Sequence, residues 1–509
     1  MQTRFPMFWA LLLLTTTDAL RILVVFPMVS KSHSILGNGF VNNLLKGGHE
    51  VVHLTAFPRK QPNPKLKEID VSAIAKTLYD DNAKSDIMSL KNLIGQSTVS
   101  ESIFFMYFTY VLHENFFNEP RVVELLSDPK EKFDAVIVEW FFSETLAGLA
   151  PLLQCPLIWF GSTEPHWQIL RLIDEIPNPA YTVDVFAQSK PPLNFWERAN
   201  ELWKLVKQSL FNFPEILFPQ RSGLCLTMPS YDEAVYNGSL MFLNAHPSLG
   251  SAHKLPENVI NIAGYHIDDN PEPLPKDLQK LMDEAAHGII YFSMGSHLES
   301  KGMSDNMKKT LLGVFGKLKE TIIWKFESDL ENVPKNVHLV KWAPQQSILA
   351  HPNLKFFITH GGQLSTTEAV YYGVPLIGLP VLGDQTLNMV TVQSKGFGIK
   401  VTISEDMGEE LTAAINEMIS SNKAKELSAI YHDRVVSPGE EILHWVQHVV
   451  KTKGAPHLKS PALHVPLYQK LFLDLAAVIM IVGVLMIVIV KKILKRTRVT
   501  KQNGKKKRN

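Results

Sequence analysis

Continuous apolar runs of strand length, separated by stretches of helical spacing, constrain this chain to a parallel α/β architecture. Arg21 to Pro27 (RILVVFP) is such a run, and Glu50 to Phe57 (EVVHLTAF) is the next. Leu36 to Gly47 has helical spacing, and His33 lies in the turn before it. Together they read as a βαβ unit. Phe133 to Glu139 (FDAVIVE) and Pro156 to Gly161 (PLIWFG) repeat the pattern around a helical stretch from Ser143 to Leu153. It returns at Gly288 to Met294, Thr321 to Lys325, His338 to Lys341, Leu354 to Thr359, Pro375 to Leu379 and Gly398 to Ile403. Runs without alternation fit strands covered on both faces.

The chain has 509 residues, too many for one ordinary core. Two α/β domains are expected, residues 20–245 and 258–455, joined by a polar, Pro-bearing linker at 246–257. Ligands of open α/β sheets sit beyond the carboxyl ends of the strands. Two such domains facing each other make a cleft with a binding edge on each side. The stretches Ser100 to Phe117 and Phe195 to Pro219 are rich in Phe, Trp, Tyr and Leu. They read as an acceptor pocket, a surface dipping into a membrane, or core helices.

Two hydrophobic segments set a topology. Arg4, the apolar run Met7 to Leu14 and the small residues around Ala19 read as a secretory signal peptide, residues 1–19. Leu471 to Val490 (LFLDLAAVIMIVGVLMIVIV) is long enough to cross a bilayer and is followed at once by Lys491 and Lys492. By the positive-inside rule the tail, 491–509, is cytoplasmic. The body and its juxtamembrane segment, 456–470, are then lumenal, giving a single-pass type I protein. Lys506 and Lys507, fourth and third from the end, resemble a dilysine retrieval signal, so the expected location is the endoplasmic reticulum membrane.

Charge excludes another class. Ten of the 51 Lys and Arg lie between Lys491 and Asn509 with no acid among them, so the remainder, 41 basic against 50 acidic, carries about −9. A mildly acidic body is not a nucleic-acid binder. The two cysteines, Cys155 and Cys225, allow one disulfide at most and read as buried free thiols. They also exclude a thiolate zinc cluster. Asn237-Gly238-Ser239 is a single glycosylation sequon.

Residues 342 to 385 read WAPQQSILAHPNLKFFITHGGQLSTTEAVYYGVPLIGLPVLGDQ. A nucleotide-sugar needs a flat surface for its base, acceptors for ribose, donors for the diphosphate and polar groups for the sugar. Trp342 offers the surface and Glu368 the acceptor. His360-Gly361-Gly362 ends a strand and precedes a helix starting near Ser365, where backbone N–H groups can meet phosphate. Asp384 and Gln385 follow another strand and can hold hydroxyls. This ordered set resembles the signature of the UDP-glycosyltransferases, which include the UDP-glucuronosyltransferases, and the likeness runs nearly the whole chain. The resemblance implies the GT-B arrangement of two facing Rossmann-like domains with a C-terminal transmembrane helix. It implies nucleotide contacts at Ser296, Trp342, Ala343, Gln345, His360, Gly362, Ser365, Glu368, Asp384 and Gln385. The sequence departs from the family at Leu364, where an Asn is frequent, while Ser365 keeps the next position.

By the same resemblance His33, in KSHSILG, is the catalytic base, and Glu139 is the acid that orients it. Histidine titrates near neutrality, and a carboxylate can fix its tautomer. Asp134, earlier in the same strand, reads as structural. A base on the face opposite the leaving UDP implies single displacement with inversion. No Asp-x-Asp pair occurs, so no metal and no cofactor are expected, only UDP-glucose or UDP-glucuronate as co-substrate. The stretch EAVYYGVPLIGLPVLGDQ is similar to the invertebrate, insect-like branch, which implies UDP-glucose; the vertebrate branch implies UDP-glucuronate. The expected acceptor is a small lipophilic alcohol or phenol, as in detoxification, and the resemblance leaves room for homo-oligomers. A serine hydrolase would need a Gly-x-Ser-x-Gly elbow, which is missing from the sequence. A silent lumenal binder of lipophilic molecules would not need His33 and Glu139.

Overall fold

A strand buried on both faces must send alternate side chains into two cores, and β1 (Arg21–Phe26) does so. Leu23 and Val25 enter one cluster, while Ile22, Val24 and Phe26 enter the other. The computed structural model describes residues 19–78, 90, 102–173, 178–209, 229–268, 270–296, 298, 300–418 and 422–506. Most of the signal segment, Cys225, the stretch 210–228 and the end of the tail, including Lys507, lie outside them.

The first sheet is parallel, with order β3-β2-β1-β4-β5-β6-β7. Besides β1 it comprises β2 (Glu50–Thr55), β3 (Leu66–Asp70), β4 (Ala135–Trp140), β5 (Leu157–Gly161), β6 (Leu240–Leu243) and β7 (Val259–Asn261). The second sheet, also parallel, has order β10-β9-β8-β11-β12-β13. Its strands are β8 (Ile289–Ser293), β9 (Thr321–Lys325), β10 (Val337–Val340), β11 (Leu354–Thr359), β12 (Leu376–Gly378) and β13 (Gly398–Lys400). The helices that matter below are α1 (Lys31–Lys46), α2 (Ser102–Asn118), α3 (Gln363–Tyr371), α4 (Gln385–Lys395), α5 (Pro438–Lys451) and α6 (Leu473–Lys506).

Strand pairing moves the end of the first sheet past the expected linker. β7 pairs with β6 and follows residues 246–257, so that segment joins two strands of one sheet. The chain also returns. α5 starts with a capping box, Ser437 accepting from the Glu440 N–H while Glu440 accepts from that of Ser437. Its Ile442, Val446 and Val449 are buried against Leu36, Phe40 and Leu44 of α1. Helical residues of the last hundred thus complete the core begun by the first fifty.

Trp324 centres the second core. It is fully buried, stacked on Phe292 at 5.1 Å and edge-on to Phe326 at 5.0 Å. Trp324→Ala is expected to cost about 3–5 kcal/mol, from lost transfer energy plus an unfilled cavity. A thermal midpoint within a degree of wild type, measured on the full chain in detergent, would contradict this.

Residues 459–509 form a separate unit. Its α6 carries a 24-residue candidate membrane span, Leu473–Arg496, apolar from Leu475 to Val490 and not buried within the protein. At 1.5 Å per residue that is about 36 Å, enough to cross a bilayer and fit a membrane anchor. The helix starts two residues later than Leu471 because Phe472 takes a positive φ of 55°. Cys155 is a buried free thiol whose pKa burial pushes up to about 12.

Candidate active site

The strand order of each sheet reverses once, between β1 and β4 and between β8 and β11. Crevices open at the carboxyl ends beside such switch points. His33 follows β1 and Glu139 is the penultimate residue of β4, so they flank the first. Ser296 follows β8 and His360 follows β11, flanking the second. A cavity of about 590 Å³ lies between them. Every candidate residue except Glu139 lines it.

His33 is not in a turn, as its place before the apolar spacing implied. α1 already begins at Lys31, so His33 sits in its first turn. That turn reads KSHS and faces the cleft, and apolar periodicity cannot register a helix end with no core face. α3 likewise begins earlier than expected, at Gln363 rather than near Ser365.

Glu139, 1% exposed, sits behind His33, with Oε1 2.6 Å from the imidazole Nδ1. A carboxylate there fixes the proton on Nδ1 and leaves Nε2 to accept another. Burial alone would lower the His33 pKa. The charge of Glu139 and its hydrogen bond, with Asp384 beyond, outweigh burial and hold it above 6.5. Asp134 lies just before β4, at the opposite end of the sheet, where its carboxylate accepts from the Arg21 N–H at 2.7 Å.

On the second sheet Glu368 is buried in α3. Its Oε2 accepts from Gln345 Nε2 at 2.6 Å and its Oε1 from Gln346 Nε2 at 3.1 Å. Ser365 Oγ stands 3.4 Å from the same Gln345 nitrogen. Trp342, 55% exposed, presents its ring beside them, followed by the buried Ala343. Asp384 is the N-cap of α4; its Oδ2 accepts from Asn388 at 2.7 Å, and burial holds its carboxyl above the ordinary value. The Gln385 amide oxygen accepts from the N–H groups of Val381 and Leu382 at 2.8 and 3.0 Å, so this side chain braces its own loop.

The glycines have neighbours that the sequence did not reveal. Gly361 has φ +83°, and a Cβ there would come within 2.6 Å of Met389. A Cβ at Gly362 would lie 2.6 Å from His360 Nε2, and one at Gly295 would lie 2.5 Å from His360 Cε1. His360 is therefore wedged between two chain segments that must lack side chains. Leu364, where an Asn was expected, lines the cavity and packs on the core of the first sheet.

The aromatic wall opposite draws Phe105 from the first aromatic-rich stretch, whereas Phe141, Phe142 and Phe186 were not singled out by the sequence. Phe105 of α2 and Phe142 stack on Phe186 at 5.2 and 5.3 Å, and all three line the cavity. Phe141, also lining it, meets the His33 ring edge-on at 5.0 Å. The Phe141-Phe142 pair, separated from Glu139 by Trp140 at the end of β4, was the available signal. Of the two aromatic-rich stretches, the described part of the first thus divides between wall and core, with Phe116 and Phe117 buried. The helix Phe195–Ser209 exposes Trp196 and Trp203.

An imidazole braced by a buried acid on one sheet faces an exposed indole and a helix start on the other, across a cleft with room for a nucleotide-linked group. The comparisons with known proteins name the nucleotide. Residues 21–509 match the family described as UDP-glucoronosyl and UDP-glucosyl transferase. The chain is 32% identical over 493 residues to UDP-glucosyltransferase 2 of Dactylopius coccus, covering 95% of this chain and 94% of that one. It is 31% identical over 304 residues to human UDP-glucuronosyltransferase 3A1, covering 57% of this chain and 56% of that one. A crystal structure of Arabidopsis thaliana UGT89C1 complexed with UDP-L-rhamnose is similar in fold, with a TM-score of 0.56 at 14% identity, covering 85% of this chain and all of that one. The chain belongs to the UDP-glucoronosyl and UDP-glucosyl transferase family, and its two sheets have the GT-B fold. It is a UDP-glycosyltransferase.

Proposed function

We propose that this enzyme transfers glucose, with inversion, from UDP-glucose to the hydroxyl of a small lipophilic acceptor. The observation that carries the reading is the His33–Glu139 pair opening on an aromatic wall. The acceptor lies against Phe105, Phe142 and Phe186, and its hydroxyl is presented to His33 Nε2. As the acceptor oxygen forms its bond to sugar C1, its proton passes to Nε2, and the bond from C1 to the diphosphate oxygen breaks. Glu139 stabilises the imidazolium so formed. Attack from the side opposite UDP inverts C1.

On the donor side, Trp342 carries uracil, Glu368 accepts from ribose hydroxyls and Asp384 from sugar hydroxyls. Ser296, His360 and the N-terminus of α3 meet the departing diphosphate. Glucose is favoured over glucuronate by charge. Among the described residues the cavity wall holds one Lys or Arg, Lys325, and its Nζ is already 2.7 Å from Glu327 Oε1. The similarity to UDP-glucosyltransferase 2 supports the same donor. We place the body in the endoplasmic reticulum lumen, anchored by α6, as the basic tail implies.

The test is turnover of a phenol panel in microsomes with each donor. Product with UDP-glucose, undiminished by EDTA, is expected, since the groups facing the diphosphate are N–H donors, a serine and an imidazole. Product with UDP-glucuronate alone would overturn the donor, and loss of all turnover in EDTA would overturn the metal-free mechanism.

A further inference from the structure

Lys31 opens α1 two residues before His33, and its Nζ stands 4.1 Å from the centre of the Trp342 ring. The contact joins the two sheets' domains: α1 packs on the first sheet, while Trp342 follows β10 of the second. The indole is 55% exposed, an open position for a ring that must present one face in a fixed orientation. Trp342 borders the cavity and Lys31 does not. An ammonium on the ring's outer face leaves the cavity side of the indole for a ligand. Lys325, by contrast, borders the cavity, 5.8 Å from the ring centre, with its Nζ held by the Gly295 carbonyl and Glu327.

We propose that Lys31 is a positioning residue for the donor base: from the helix that carries His33 it clamps the outer face of Trp342, so that uracil stacks on a ring already held in place. The inference rests on the reading of Trp342 as the base platform. An exposed aromatic side chain loses rotamer freedom when a ligand stacks on it, and a cation held over its other face removes part of that cost beforehand. The clamp also links the two halves of the reaction. The cation that steadies the nucleotide's platform and the imidazole that takes the acceptor proton share one turn of one helix.

The experiment measures binding of uridine and of UDP, separately, to the full chain in detergent. Wild type is compared with Lys31→Met, Lys31→Arg and Trp342→Ala. Lys31→Met is expected to weaken uridine and UDP equally, by about two- to fivefold, the weight of an exposed cation–π contact. Lys31→Arg is expected to restore both, since guanidinium also stacks on indole. In turnover the same loss appears in KM for the donor, with kcat at saturation little changed.

Loss for UDP but not uridine would overturn the proposal by assigning Lys31 to the diphosphate charge. Tighter binding of both would overturn it by making Lys31 a competitor for the stacking face. No change in either would show a contact without weight. Trp342→Ala separates this inference from its foundation. If that variant keeps its uridine affinity, the base does not sit on Trp342 and the donor-site reading fails. If it loses affinity while Lys31→Met does not, only the clamp fails.

Discussion

His33→Ala lowers kcat/KM by about 10²–10⁴-fold, the usual contribution of a positioned base, while UDP still binds. The histidine lies on the first-sheet side of the cleft, and the nucleotide's expected partners are all on the other sheet. The pH profile carries more information than the loss. Because Glu139 and Asp384 hold the His33 pKa above 6.5, the acid limb of kcat/KM falls above pH 6.5. The base must be neutral, so rate declines as pH drops through that raised value. Glu139→Gln removes the charge and leaves burial, which lowers the pKa. The limb then moves to lower pH while kcat falls, because nothing fixes the proton on Nδ1. A limb that stays in place in Glu139→Gln would mean that the titrating base is another group.

Glu368→Ala raises KM for the UDP-sugar by about 10- to 100-fold, the range for a hydrogen bond to a charged group. The carboxylate is 4% exposed and already collects two glutamine amides, so its truncation strands Gln345 and Gln346 as well as ribose. A donor lacking one ribose hydroxyl separates these contributions. It should bind wild type worse than the full donor, yet bind Glu368→Ala nearly as well as the full donor does. Equal penalties in both proteins would show that the ribose hydroxyls bond elsewhere.

Most strands buried on both faces were legible because burial leaves an unbroken apolar run, as in β1, β4 and β8, but β6 was missed because its buried run, LMFL, is only four residues long. β3 was missed because it is a half-exposed edge strand, LKEID, with charges where a run was sought. β7 was missed because three residues at the opposite edge carry no pattern. The missed β7 also set the linker too early, since only pairing to β6 shows that the first sheet continues. In the site, residues 342 to 385 were legible because family spacing carries them. The partners that complete the site were not. Gln346 bonds Glu368 from the next position to the expected Gln345, and Lys31 reaches Trp342 across more than three hundred residues of sequence. No local pattern records a contact made only by folding. Gly362 carries such a hidden contact too: it lines the cavity, yet a Cβ there would lie 2.6 Å from the ring of its neighbour His360.

The return of α5 to α1 makes the nucleotide-side domain an insertion. The chain leaves the first domain after β7 and re-enters it at Ser437. The two crossings touch: the Ala263 carbonyl accepts from both the Tyr431 hydroxyl at 2.5 Å and the Arg434 guanidinium at 3.0 Å. A domain hung from two adjacent strings can swing about the line through them but cannot be pulled away along it. The covalent path to α6 leaves from α5, so a pull on that helix would be passed along the chain first to the domain that holds His33. The inserted domain stands off that covalent line.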